Sequence, residues 1–170
     1  VFANVDKENR NLTRKNHSAA HLLQAALQTV VGNHVHQQGS QVSSTYCRFD
    51  FNNYNTLTDE EILKVEDLVN EYIVKAYKVN THVLAIEEAK KMGAMALFGE
   101  KYGDVVRVVA AGDTSVELCG GTHVDNTSKL GLFHIVSESS VAAGVRRIEA
   151  VTGSNVLTLI YNNISIMNET

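Results

Sequence analysis

Arg14-Lys-Asn-His-Ser-Ala-Ala-His-Leu-Leu-Gln-Ala-Ala-Leu-Gln-Thr-Val-Val31 spaces Ala19, Leu22, Leu23, Ala26, Leu27 and Val30 as one face of an α-helix. A second stripe, His17, His21, Gln24 and Gln28, runs alongside the apolar one. The helix therefore has a face to bury and a separate face on which to present imidazoles. Gly32 reads as its stop. Downstream, Thr58-Asp-Glu-Glu61 has the form of a capping box, and Ile62, Val65, Val69, Tyr72, Ile73 and Ala76 continue it as a second long amphipathic helix. Between the two, His34 to Asn52 reads as a pair of strands with a break at Gly39-Ser40 and a loop at 52–55. In the second strand, Cys47, Phe49 and Phe51 alternate with Arg48 and Asp50, which puts the cysteine on an apolar face. Beyond the second helix come a strand near 81–86 and a short helix over 87–92. Strands follow at 105–110, 115–118, 132–138 and 145–151, then a closing helix at 155–167. Two long helices with mostly antiparallel strands predict an α+β domain, with the helices packed on one curved sheet.

His17 and His21, at i and i+4, lie on one helical face at roughly 5–6 Å. About a hundred positions later, Cys119 and His123 flank Gly120, Gly121 and Thr122, where two glycines permit a tight turn. Together the pairs offer three nitrogens and one sulfur, a set that suits tetrahedral zinc. Four protein ligands describe a saturated structural site as well as a catalytic one, and spacing does not separate the two. Placing the histidines in the first turns of the helix would let its positive end favour the neutral, metal-binding imidazole.

At 170 residues and 44% apolar content the chain reads as one domain with a sizeable core. Two cysteines make no disulfide framework, no run of eighteen apolar residues occurs, and the first ten residues lack a signal-peptide layout. These features predict a soluble cytoplasmic protein without a membrane partner. A formal charge of −4 excludes strong general affinity for nucleic acid, so any such partner must meet a local basic patch. Candidates are Arg10, Arg14 and Lys15, the pair Lys90-Lys91, Lys101, and Arg146-Arg147.

Five ordered stretches carry a resemblance: residues 16–23, Gln37-Gln-Gly-Ser40 with Arg48-Phe-Asp-Phe51, residues 93–102, Glu117-Leu-Cys-Gly-Gly-Thr-His123, and residues 142–153. In them the chain resembles the editing domain of alanyl-tRNA synthetases, shared with free-standing alanyl-tRNA editing proteins and, more distantly, threonyl-tRNA synthetase. The resemblance implies an α+β domain of the threonyl/alanyl-tRNA synthetase editing type. It also implies zinc-dependent hydrolysis of the ester joining serine or glycine to tRNA(Ala). Family metal ligands fall on His17, His21, Cys119 and His123, and Gln37 matches a position lining the amino-acid pocket. Gln37 and Ser18 are the expected catalytic-site residues; Gly120, Gly121, Arg146 and Arg147 are expected to hold substrate or the acceptor end. In a strand only one of the adjacent arginines would face RNA, leaving the other to pair with an acid such as Glu149. Where family members often carry threonine before the second histidine, this chain has Ala20, a lost hydroxyl that Ser18 could partly replace. Residues 1–170 read as one editing domain excised from a full-length synthetase, which would supply the remaining partner in cis. The alternatives are a free-standing deacylase, a non-catalytic acceptor-end binding module with structural zinc, and an unrelated zinc hydrolase.

Overall fold

The computed structural model describes residues 1–96 and 102–168. Residues 97–101 of the third stretch of resemblance, Lys101 among them, lie outside them. Helix α1, Lys7–Val30, begins seven residues before the expected position. Asp6 caps it by accepting a hydrogen bond from the Asn9 amide at 3.0 Å. Lys7 to Asn11 are polar and exposed, and the half-buried Leu12 stands alone, so the added turns carry no apolar periodicity by which to read them. The apolar stripe is as expected: Leu22, Leu23 and Leu27 are no more than 1% exposed.

Helix α2, Asp59–Val74, starts on the capping box, with both reciprocal bonds between Thr58 and Glu61 formed. It stops before Ala76, which takes a left-handed conformation (φ 53°) and ends the helix. Val65 and Val69 face α1 and the core.

The strands form two sheets rather than one. In the four-stranded sheet, β1 (Gln37–Val42), β2 (Cys47–Asn52), β6 (Phe133–Ala142) and β7 (Val145–Thr152) run antiparallel in the order β1-β2-β7-β6. In the three-stranded sheet, β3 (Val79–Ala85), β4 (Val105–Ala111) and β5 (Ser115–Leu118) pair in sequence order. The break expected at Gly39-Ser40 lies inside β1. The turn is at 43–46, closed by Ser43, whose Oγ accepts from the amides of Thr45 and Tyr46. Gly39 answers instead to packing, since a Cβ there would stand 3.3 Å from an Asp50 carboxylate oxygen. Cys47, Phe49 and Phe51 are buried as the alternation predicts, and burial pushes the Cys47 thiol up to about 12.

The main core joins α1 and α2 to the inner face of the four-stranded sheet. A smaller cluster of Ala89, Val106, Val108 and Leu118 lies under α3 (Ile86–Lys91) on the three-stranded sheet. Helix α4, Ser154–Asn168, packs on β7 through Val156. No helix among the described residues is long and apolar enough to cross a membrane. The seam between α1 and β5 is where the two sheets' layers meet, and the site lies along it.

Candidate metal centre

The two distant ligand pairs converge. One ligand atom from each of His17, His21, Cys119 and His123 lies within 4.8 Å of the others. Cys119 Sγ is 3.5 Å from His17 Nε2 and 3.3 Å from His123 Nε2. The ring centroid of His123 is 4.1 Å from that of His17 and 4.4 Å from that of His21.

Burial keeps the imidazoles neutral. It lowers His21 to about 3 and His123 to about 2, with neighbouring histidines adding to each shift, and it lowers His17 as well. The helix dipole contributes little, because a start at Lys7 puts His17 some three turns into α1 and the dipole acts within the first turn. The expected dipole effect is therefore replaced by desolvation.

Around the cluster, further groups fix the rings. His17 is hydrogen-bonded to the Thr122 backbone. Ser18 Oγ lies 3.1 Å from His123 Nδ1 and accepts from the Val124 amide. Ser18 thus braces a candidate ligand. Arg107 donates to the carbonyls of Cys119 and Gly121 at 2.7 and 2.6 Å, and Arg14 Nε donates to the His123 carbonyl at 2.8 Å. Both ends of the ligand loop are held by guanidinium groups. The Gly121 amide points at Cys119 Sγ from 3.4 Å, a donor suited to a thiolate. Three neutral imidazoles and a thiol with such outer partners fit a zinc-type ion.

Neither glycine of the loop has positive φ, and the chain bends at Gly121, whose amide folds back on Cys119 Sγ. A Cβ on Gly121 would stand 2.1 Å from His17 Cε1, whereas one on Gly120 would meet nothing within 4 Å. Gly121→Ala is therefore expected to displace His17 and weaken metal binding by at least about tenfold, with Gly120→Ala close to unchanged. Competition with a chromophoric chelator measures both; equal affinities would contradict the close packing.

Beside the cluster, a cavity of about 210 Å³ is lined by Gln24, His36, Gln37, Met95, Glu117 and their neighbours. Gln37 opens β1 on one wall. Glu117 also lines the cavity, with Oε2 3.6 Å from His21 Nε2 and Oε1 accepting from Ser115 Oγ at 2.9 Å. Burial raises its carboxyl to about 8. Gln24 Oε1 is buried without a partner among the described residues. Glu117, Ser115 and Arg107 escaped the reading of the sequence. The period-2 placement of Ser115, Glu117 and Cys119 on one strand face was the available signal for the first two.

The two arginines expected at the acceptor end, Arg146 and Arg147, are committed to acids. Arg146 makes a two-pronged pair with Glu138 at 2.5 and 2.6 Å, and Arg147 one with Asp50 at 2.7 and 2.8 Å. Arg147 thus pairs with an acid other than Glu149, directly across β2 and β7.

Residues 106–149 match the family model described as the threonyl and alanyl tRNA synthetase second additional domain. The whole chain is 55% identical over 170 residues to an alanine–tRNA ligase of Halalkalibacterium halodurans, of which it spans 19%. Over 169 residues, 99% of the chain, it is 53% identical to alanine–tRNA ligases of Bacillus anthracis and Bacillus cytotoxicus, again spanning 19% of each.

Proposed function

We propose, for a chain that belongs to the threonyl and alanyl tRNA synthetase second-additional-domain family, that residues 1–170 are one proofreading domain of an alanine–tRNA ligase. It hydrolyses the ester of serine or glycine on tRNA(Ala) with a zinc ion held by His17, His21, Cys119 and His123. The observation that carries this reading is the convergence of those four side chains next to a small cavity of mixed polar and apolar lining. The acceptor end and the rest of the ligase in cis are the implied partners, and the cytoplasm the implied compartment.

A bound zinc ion supplies Lewis acidity, polarising a carbonyl or acidifying a water. The chain's own residues do the rest. His17, His21 and His123 are kept unprotonated by burial and offer lone pairs near pH 7. Ser18, Arg14 and Arg107 hold the ligand loop still, so the site needs little rearrangement. The cavity is below the roughly 300–1,000 Å³ of drug-sized pockets, which favours a small aminoacyl group. Within it Gln37 is assigned to hydrogen-bond the aminoacyl moiety. Polar walls that pair with serine's hydroxyl are left unpaired by alanine, and such sites discriminate by orders of magnitude.

The test compares seryl-tRNA(Ala) with alanyl-tRNA(Ala), at neutral pH, with the zinc-loaded chain. Selective loss of the seryl ester is expected. If neither ester is cleaved faster than without protein, the hydrolytic reading fails and a binding module with structural zinc takes its place.

A further inference from the structure

A cleft of about 360 Å³ opens between α1 and β3, and Thr122 and the buried His123 are part of its lining. Arg10 and Arg14, one turn apart on α1, line one side, and Arg107 and Thr81 the other. A second depression of about 400 Å³ continues from it past Arg14, Lys15 and Lys129. In a chain of net charge −4, these linings hold five cations against the one carboxylate of Asp125. Lys129 already pairs with that carboxylate at 2.6 Å. Arg10 and Arg14 make no ion pair among the described residues, in contrast to Arg146 and Arg147. Arg14 spends only its Nε on the His123 carbonyl, leaving its terminal nitrogens for an occupant.

We propose that this cleft docks the phosphates of the 3′-terminal nucleotides of tRNA, with Arg10 and Arg14 as the phosphate-holding residues. The inference rests on the deacylase reading for the identity of the RNA. Its physical basis is separate: a polyanion in this cleft would lie against His123, one of the candidate metal ligands. Arginine forks make paired bonds to phosphate oxygens, and such contacts fix register without reading bases. Arg107, committed by one nitrogen to two loop carbonyls, couples the cleft wall to the ligand loop.

The experiment titrates uncharged tRNA(Ala) against the zinc-loaded chain at several salt concentrations, for the unmodified protein, Arg10→Gln, the double variant Arg10→Gln/Arg14→Gln, and Lys64→Gln. Lys64 is an exposed α2 residue paired with Glu60 and serves as the control. The double variant is expected to bind at least about tenfold more weakly. The slope of log K against log salt should flatten by roughly 0.7 for each lost contact to a single strand. Arg10→Gln alone, which removes a side chain with no partner among the described residues, should flatten the slope by roughly 0.7, half the double variant's change, and guards against misfolding of the double variant. Lys64→Gln should leave both unaltered. Absence of tRNA binding by the unmodified chain, or affinity and slope unchanged in both arginine variants, overturns the inference. Because this titration needs no hydrolysis, its failure is distinguishable from failure of the deacylase reading, which the unmodified protein alone decides.

Discussion

Cys119→Ala is expected to abolish both tight metal binding and deacylation while leaving the fold in place. Cys119 supplies the one sulfur of the set, and its Sγ is 3.3 to 3.5 Å from two imidazole nitrogens. It lies at the end of β5 and belongs to neither hydrophobic cluster, so the substitution opens no core cavity. Three neutral imidazoles would remain, a weaker set without the anionic ligand. The loss of metal affinity should exceed the roughly 100-fold seen when only an outer-shell partner is removed. His21→Ala should behave alike in metal binding and activity. Chelator competition reads affinity, and seryl-tRNA(Ala) hydrolysis reads function. Full deacylation by metal-free Cys119→Ala protein would refute the role given to the site.

Stripped of metal, the chain should lose stability steeply in acid, with a maximum near pH 6.5. The histidines have folded pKa values below their ordinary 6.5, so the unfolded chain binds their protons more readily. Their contribution is complete above 6.5 and is lost as pH falls towards about 3 for His21 and about 2 for His123. Glu117 runs the other way. Its folded value of about 8 exceeds the ordinary 4.5, so the stability it gives is full below 4.5 and is lost as pH rises through 8. Between 4.5 and 6.5 one carboxyl opposes three imidazoles and the imidazoles prevail; above 6.5 Glu117 acts alone. His21's shift by itself corresponds to on the order of 5 kcal/mol, comparable with the roughly 5–15 kcal/mol stability of a typical domain. Denaturant midpoints of chelator-treated protein from pH 4 to 8 measure the curve, and a flat profile between 4 and 6.5 would contradict it.

Much of this architecture is written locally. The Thr58–Glu61 box, the apolar stripe of α1 and the alternation of Cys47, Phe49 and Phe51 each depend on neighbours in sequence, and each is found where expected. The grouping of His17, His21, Cys119 and His123 was legible because each pair keeps its own spacing. What escaped depends on register and approach. Gly39 looked like a turn but makes room for Asp50 across the strand pair. The partners of Arg146 and Arg147 come from β6 and β2, and adjacency in sequence says nothing about which strands will flank β7. Two sheets rather than one follow from a division between β3-β4-β5 and the rest, invisible to a count of strands.

The quartet joins positions 102 residues apart, His17 on α1 and Cys119 after β5. An ion held there would be a removable tether between the helical layer and the smaller sheet, closing a loop whose entropic cost the unfolded chain otherwise keeps. Ligand occupancy would then set the mechanical independence of β3-β4-β5. With the tether released, amides of that sheet should exchange with solvent well ahead of those in β2 and β7, and saturation with metal should bring the two rates together.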